Sequence, residues 1–155
     1  MGKKGMVQGQ TIMYVMGMIV VASILIFGFK SINSFRQQGE DMQLIKFKQT
    51  IVDSVSDIAQ EYNSVEPVDV RGVSGVRKLC FASDASQVPS KYFLIKDSMS
   101  SDAKDNAFLV SEGEMQDSFY AGKIEVVGGF RCFNSTGGRI SFTLKGLGDK
   151  VEITY

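Results

Sequence analysis

Histidine and tryptophan are missing from all 155 residues. Without imidazole the chain lacks the usual proton shuttle near neutral pH and the commonest transition-metal ligand. No net charge is present either: 17 basic residues balance 17 acidic ones, so no overall field favours a nucleic acid or an acidic substrate. Sixteen glycines are present, but from Gly72 to Gly148 they are scattered at turns and form no phosphate-cradling loop ahead of a helix. The phenylalanines and tyrosines have no basic stripe beside them, which fits sheet core and excludes a stacking platform for nucleic acid. With the acid, base and nucleophile constellations absent, the composition points to a protein with no enzymatic activity, no cofactor, no metal and no evident small-molecule substrate. The length allows one small domain plus an accessory element.

Charge is also missing locally. Residues 5–29 are 25 consecutive uncharged positions, preceded by Lys3 and Lys4 and followed by Lys30. A helix of roughly 20 apolar residues crosses a hydrocarbon core about 30 Å thick, so residues 11–29 read as a transmembrane helix. A cleavable secretory leader has an apolar region of only about 7–15 residues followed by small residues. Here the small pair Ala22-Ser23 falls in mid-stretch, with Ile24, Leu25, Ile26 and Phe27 still to come. The alternative is the buried core helix of a soluble protein. Basic residues flank the span on both sides, so orientation rests on the rest of the chain. Two cysteines and the tripeptide Asn134-Ser135-Thr136 lie in the C-terminal part, and both suit an extracytoplasmic compartment. The expected topology is a single pass with a cytoplasmic N-terminus.

The helical signal continues past the span. Leu44, Phe47, Ile51, Val55, Ile58 and Tyr62 follow one another at spacings of three and four, with lysine, aspartate and glutamine between them. That is one apolar stripe on an amphipathic helix, which packs on the head domain or, as the alternative, on a coiled-coil partner. Gly39 weakens a helix by about 1 kcal/mol relative to alanine and predicts a bend or a short break near residues 38–41. Pro67 predicts the end of this stem, because a residue before proline is pushed toward extended backbone.

After Pro67 the period falls to two. "VRKLCFAS", "KYFLIK", "NAFLVS", "GKIEVVG", "GFRCFN", "GRISFTLKG" and "DKVEITY" read as short strands divided by turn residues. The last two form a hairpin through "GLGDK". The predicted fold is therefore α+β: a long N-terminal helix, transmembrane and then amphipathic, packed on a small antiparallel sheet. Its divisions are a basic leader at 1–10, the span at 11–29, a helical stem at 30–66 and a β-rich extracytoplasmic head at 67–155.

Cys80 and Cys132 each sit in a predicted strand and each precede phenylalanine. Outside the cytosol they read as a disulfide joining the first head strand to a late one, with two unpaired buried thiols as the alternative. Closing a loop of that size constrains the unfolded chain by about 4 kcal/mol in the chain-entropy model. A catalytic cysteine is disfavoured because no histidine exists to generate its thiolate. Asp97, Asp102, Asp105 and Asn106 cluster in a polar stretch but lack the glycine and closing glutamate of an EF-hand, and read as a solvated loop. Asn134 carries an N-glycosylation tripeptide in a segment where turn residues are expected anyway.

The segment "KKGMVQGQTIMYVMGMIVVASILIFGF" resembles the N-terminus of type IV pilin-like proteins, including archaeal proteins with a class III signal peptide. The resemblance covers about the first 30 residues. It implies a short basic leader ending at Gly5, cleavage there by a membrane peptidase, and a mature chain starting at Met6. Gln10 stands where bacterial members carry glutamate at the fifth mature position, so it keeps hydrogen bonding without the charge that pairs with a neighbouring subunit's amine. The family's plan, an apolar half-helix followed by a one-sided half lying on a sheet with a disulfide, matches the divisions above. An all-round apolar half-helix is stable in lipid or inside a bundle of like helices. Gly9, Gly17, Ala22 and Gly28 would permit close helix approach. The resemblance thus implies membrane lipid and further copies of the chain as partners. The competing expectation is a monomeric, permanently anchored binding or accessory domain of a cell-envelope complex.

Overall fold

The computed structural model describes residues 4–101 and 103–154, with side-chain surroundings described for these except 4–11, 33–38 and 40. It comprises two units, Met1–Asp41 and Met42–Tyr155, and helix α1 (Lys4–Ala59) runs through the boundary between them. The helix is continuous through Gly39, so the short break among the sequence expectations does not form there. Nothing lies within 4 Å of where its Cβ would be, and a local cost of about 1 kcal/mol does not stop a helix that good formers propagate on both sides.

Within Met42–Tyr155, the C-terminal part of α1 is followed by β1 (Val65–Arg71), β2 (Lys78–Ala82), two short 3-10 turns, α2 (Phe93–Ser100), β3 (Ala107–Ser111), β4 (Glu114–Phe119), β5 (Ile124–Val126), β6 (Phe130–Asn134), β7 (Arg139–Gly146) and β8 (Val151–Thr154). The strands form two four-stranded sheets where one was expected, in the orders β1-β7-β8-β5 and β4-β3-β2-β6. All pairings are antiparallel except β5 with β8.

Two cores explain the two sheets. Phe47, Ile51, Val55 and Ile58 of α1 join Val70, Ile140, Phe142, Leu144 and Ile153 of the first sheet and Leu79, Phe81, Leu109 and Phe133 of the second in one buried cluster. Full burial of each large apolar side chain contributes about 1.5–3 kcal/mol. Cys80, Ala82, Phe108 and Val110 point to the opposite face of the second sheet, where Tyr92 and Ile95 cover them. Covered on both faces, β2 and β3 read as unbroken apolar runs, whereas β7 alternates because one face of its sheet meets water.

Three boundaries differ from the sequence reading. The segment at 91–96, read as a strand, forms a 3-10 turn and α2. Its buried side chains, Tyr92 and Ile95, with Met99 half-buried beyond them, follow a spacing of three and four, and Pro89 sits at the entry to the turn. The helical stem ends at Ala59, short of residue 66, and Tyr62 leaves the stripe as an exposed side chain. Asn63 adopts a left-handed φ of 62°, a conformation asparagine tolerates well. Its amide donates to the Gly146 carbonyl (2.8 Å), and Gly146 donates back to the Ser64 carbonyl (2.9 Å). The chain therefore enters β1 before Pro67, and the strand carrying Cys80 is the second head strand.

Pro67 lies inside β1 because of its position in the ladder. Ser64 and Gly72 both bond toward β7, Ser64 accepting from Gly146 and Gly72 donating to the Gly138 carbonyl at 2.8 Å. With the antiparallel register of β1 on β7, even-numbered residues between them face β7 and odd-numbered ones face the free edge. Pro67 is odd-numbered, so its missing N–H removes no ladder bond and blunts an edge strand.

Candidate membrane-spanning segment and head surface

The most distinctive surface belongs to the helix residues Ile12–Ile32. The most apolar 18 residues of this 21-residue stretch have a mean hydropathy of 2.5, and none of those 18 is buried. Isoleucine, valine, leucine and phenylalanine occur on every side of the helix, and large apolar side chains such as Met13 and Phe27 are more than 70% exposed. At 1.5 Å per residue the stretch is about 31 Å long, enough to cross a hydrocarbon core. Within it the Ser23 hydroxyl is satisfied internally, since Ser23 Oγ donates to the Ile19 carbonyl at 2.8 Å. Lys30, close to one end, has a side chain long enough to place its ammonium in water while the stem stays with the apolar residues. Nothing stands within 4 Å of a Cβ built on Gly17 or Gly28, leaving those faces open.

The expected leader residues fall at the edge of what is described. Gly5, Met6, Gly9 and Gln10 have helical backbone within α1, but their side chains lie outside the described residues, as does Lys3 altogether. The proposed cleavage and the assembly role of Gln10 thus lie outside the described geometry.

In the head, Cys80 and Cys132 are direct cross-strand partners of β2 and β6, with Cα atoms 3.9 Å apart and sulfurs at disulfide-bonding distance. They face the smaller core, with Cys80 fully buried. The pair thus fastens the edge strand β6 to β2 at mid-length. Asn134 is exposed at the end of β6. The following turn is held by the Ser135 amide donating to the Arg77 carbonyl (2.8 Å) and by a bridge between Thr136 and Arg139.

Of the expected polar loop, Asp102 lies outside the described residues, and the others have structural tasks. Asp105 accepts from the Ser118 hydroxyl at 2.6 Å. Asn106 donates to the Gly122 carbonyl (2.7 Å) and accepts from the Ala121 amide (2.8 Å), pinning the β4–β5 connection. Asp97 belongs to α2. Among the described residues, no three acidic or cysteine side chains converge as a metal site would require.

Ion pairs on the wet face of the first sheet could not be read from the sequence. Arg139 donates to both oxygens of Asp69 (2.8 and 2.9 Å), and this bond holds the Asp69 carboxyl below its ordinary range and raises the guanidinium. Lys150 meets Glu125 at 2.6 Å and is raised by that bond, while Lys145 lies 4.0 Å from Glu152. All are solvent-exposed to a degree that keeps their contribution small. Lys48 reaches Asp117 at 2.6 Å from the helix, with its ammonium 5.6 Å from the centre of the Phe119 ring. Comparison of the chain with protein-family models, with curated proteins and with solved structures gave no match.

Proposed function

We propose that this chain is a non-enzymatic, single-pass membrane-anchored surface protein, and that it serves as a pilin-like filament subunit or minor pilin. The observation that carries this reading is the contrast within α1. Ile12–Ile32 is apolar on every side and unburied, whereas Phe47, Ile51, Val55 and Ile58 of the same helix are buried against two sheets. An exposed all-round apolar helix requires lipid or other helices around it, and a head folded in water does not supply them. One segment then has two environments, the bilayer before assembly and a bundle of like helices afterwards. Placement of the head outside the cytosol is supported by the Cys80–Cys132 pair at bonding distance and by the exposed Asn134 in its Asn-Ser-Thr tripeptide.

N-terminal sequencing of the protein recovered from its native membrane tests the reading. A chain beginning at Met6, together with filaments containing it in electron micrographs of surface preparations, is the expected result. An intact start at Met1 or Gly2, in a protein that stays monomeric in the membrane, would replace the filament subunit with a permanently anchored accessory domain.

A further inference from the structure

A cleft of about 600 Å³ runs between one face of α1 and β1. Its helix wall presents Gln43, Lys46, Phe47 and Thr50, which are spaced as one helical face. Its other wall is the continuous stretch 69–73, so the cleft follows the strand lengthwise. β1 is an edge strand. By the ladder parity established above, the N–H and C=O groups of Asp69 and Arg71 project from the free edge, while Val68 and Val70 are committed to β7. Two cations line the same cleft: among the described residues, neither Lys46 nor Arg71 has an acidic partner, and the Asp69 carboxylate is already engaged by Arg139.

We propose that this cleft accepts an extended, acidic segment of a second protein, which pairs with β1 at Asp69 and Arg71 as an added strand and places carboxylates near Lys46 and Arg71. Backbone pairing along an exposed edge supplies the affinity in such an arrangement, and alternate side chains supply the selectivity. The apolar floor formed by Phe47 and Val70 receives every second side chain. Pro67 sets one limit, because it offers no outward N–H, so the added strand is short and begins beyond it. The proposal is independent of the filament reading, since an anchored monomer would carry the same cleft.

The test uses the full chain, isotope-labelled in detergent micelles, and an acetylated seven-residue peptide of valine, threonine and three glutamates, with its lysine counterpart as control. The acidic peptide is expected to slow amide exchange at Asp69 and Arg71 while leaving Val68 and Val70 unchanged. Lys46→Glu with Arg71→Glu should weaken its binding roughly tenfold and reverse the preference toward the lysine peptide. Pro67→Val restores an outward donor and should tighten binding, a gain that a damaged fold cannot imitate. Equal binding of both peptides would overturn the proposal. So would shifts at Lys46 from sodium glutarate alone without protection at Asp69 and Arg71, which would mark a simple anion site. Protection of those two amides in a dimer before any peptide is added would assign the edge to a second copy and likewise overturn it.

Discussion

Replacing Gly146 with alanine isolates the contact that joins helix to sheet. This glycine is not required for its backbone angles, since its φ lies outside the left-handed region that eight other glycines occupy. It is required for space: an added Cβ would overlap the backbone carbonyl oxygens of Ile58 and Glu61, in and just beyond the last turn of α1. Backbone cannot rotate aside as a long side chain does. Relief demands that the helix end lift from β7, which stretches the bonds between Asn63 and Gly146 and between Gly146 and Ser64. Overpacking costs about 1–3 kcal/mol, and each lost backbone bond costs about 1 kcal/mol more, so Gly146→Ala should lose about 2–5 kcal/mol. Against a total stability of about 5–15 kcal/mol for a small domain, that is a large share. Urea unfolding of the full chain in micelles, followed by near-UV ellipticity of the tyrosines, reads the change. Gly39→Ala is the internal control, because that position is helical and open, and it should raise helix stability by up to about 1 kcal/mol. If Gly146→Ala unfolds within about 0.5 kcal/mol of the parent, the close approach is not what orders this junction, and the reasoning fails.

Removing both sulfurs with Cys80→Ala and Cys132→Ala should cost about 2–5 kcal/mol, the usual range for a native disulfide in a small secreted domain; an unchanged urea midpoint would show that the pair does not restrain the unfolded chain. Asp69 has its carboxyl lowered from 3.8 by the Arg139 hydrogen bond, so its contribution to stability is fully present above pH 3.8 and is lost as pH falls through the lower folded value. In Arg139→Gln the Asp69 carboxyl titration followed by NMR should move up toward 3.8, and an unmoved midpoint would count against the pairing in solution. Lys150 has the opposite sign: raised from 10.5 by Glu125, its contribution holds below pH 10.5 and is lost as pH climbs further. Glu125→Gln should therefore bring the Lys150 ammonium titration back down toward 10.5.

The sequence alone determined the features that local chemistry controls. Twenty-five uncharged positions set the apolar helix, and spacings of three and four placed Phe47, Ile51, Val55 and Ile58 on one buried face, since periodicity reports directly which side of an element meets water. The alternation at residues 139–146 likewise revealed β7, a strand wet on one side. Tertiary structure decided the rest. The strand reading of residues 91–96 failed because a short apolar run fits strand and helix alike, and the cover needed by Phe108 and Val110 selected the helix. Pro67 marked a helix end in the sequence yet sits within β1, because only the ladder register shows that its nitrogen faces outward. Cys80 and Cys132 were legible as a pair, but their direct opposition on neighbouring strands follows from sheet order, a relation between residues 52 apart that no local pattern encodes. Lys46 and Arg71 come to one cleft for the same reason: helix and edge strand are brought side by side by a shared core, and long-range packing, not propensity, chooses which charges become neighbours.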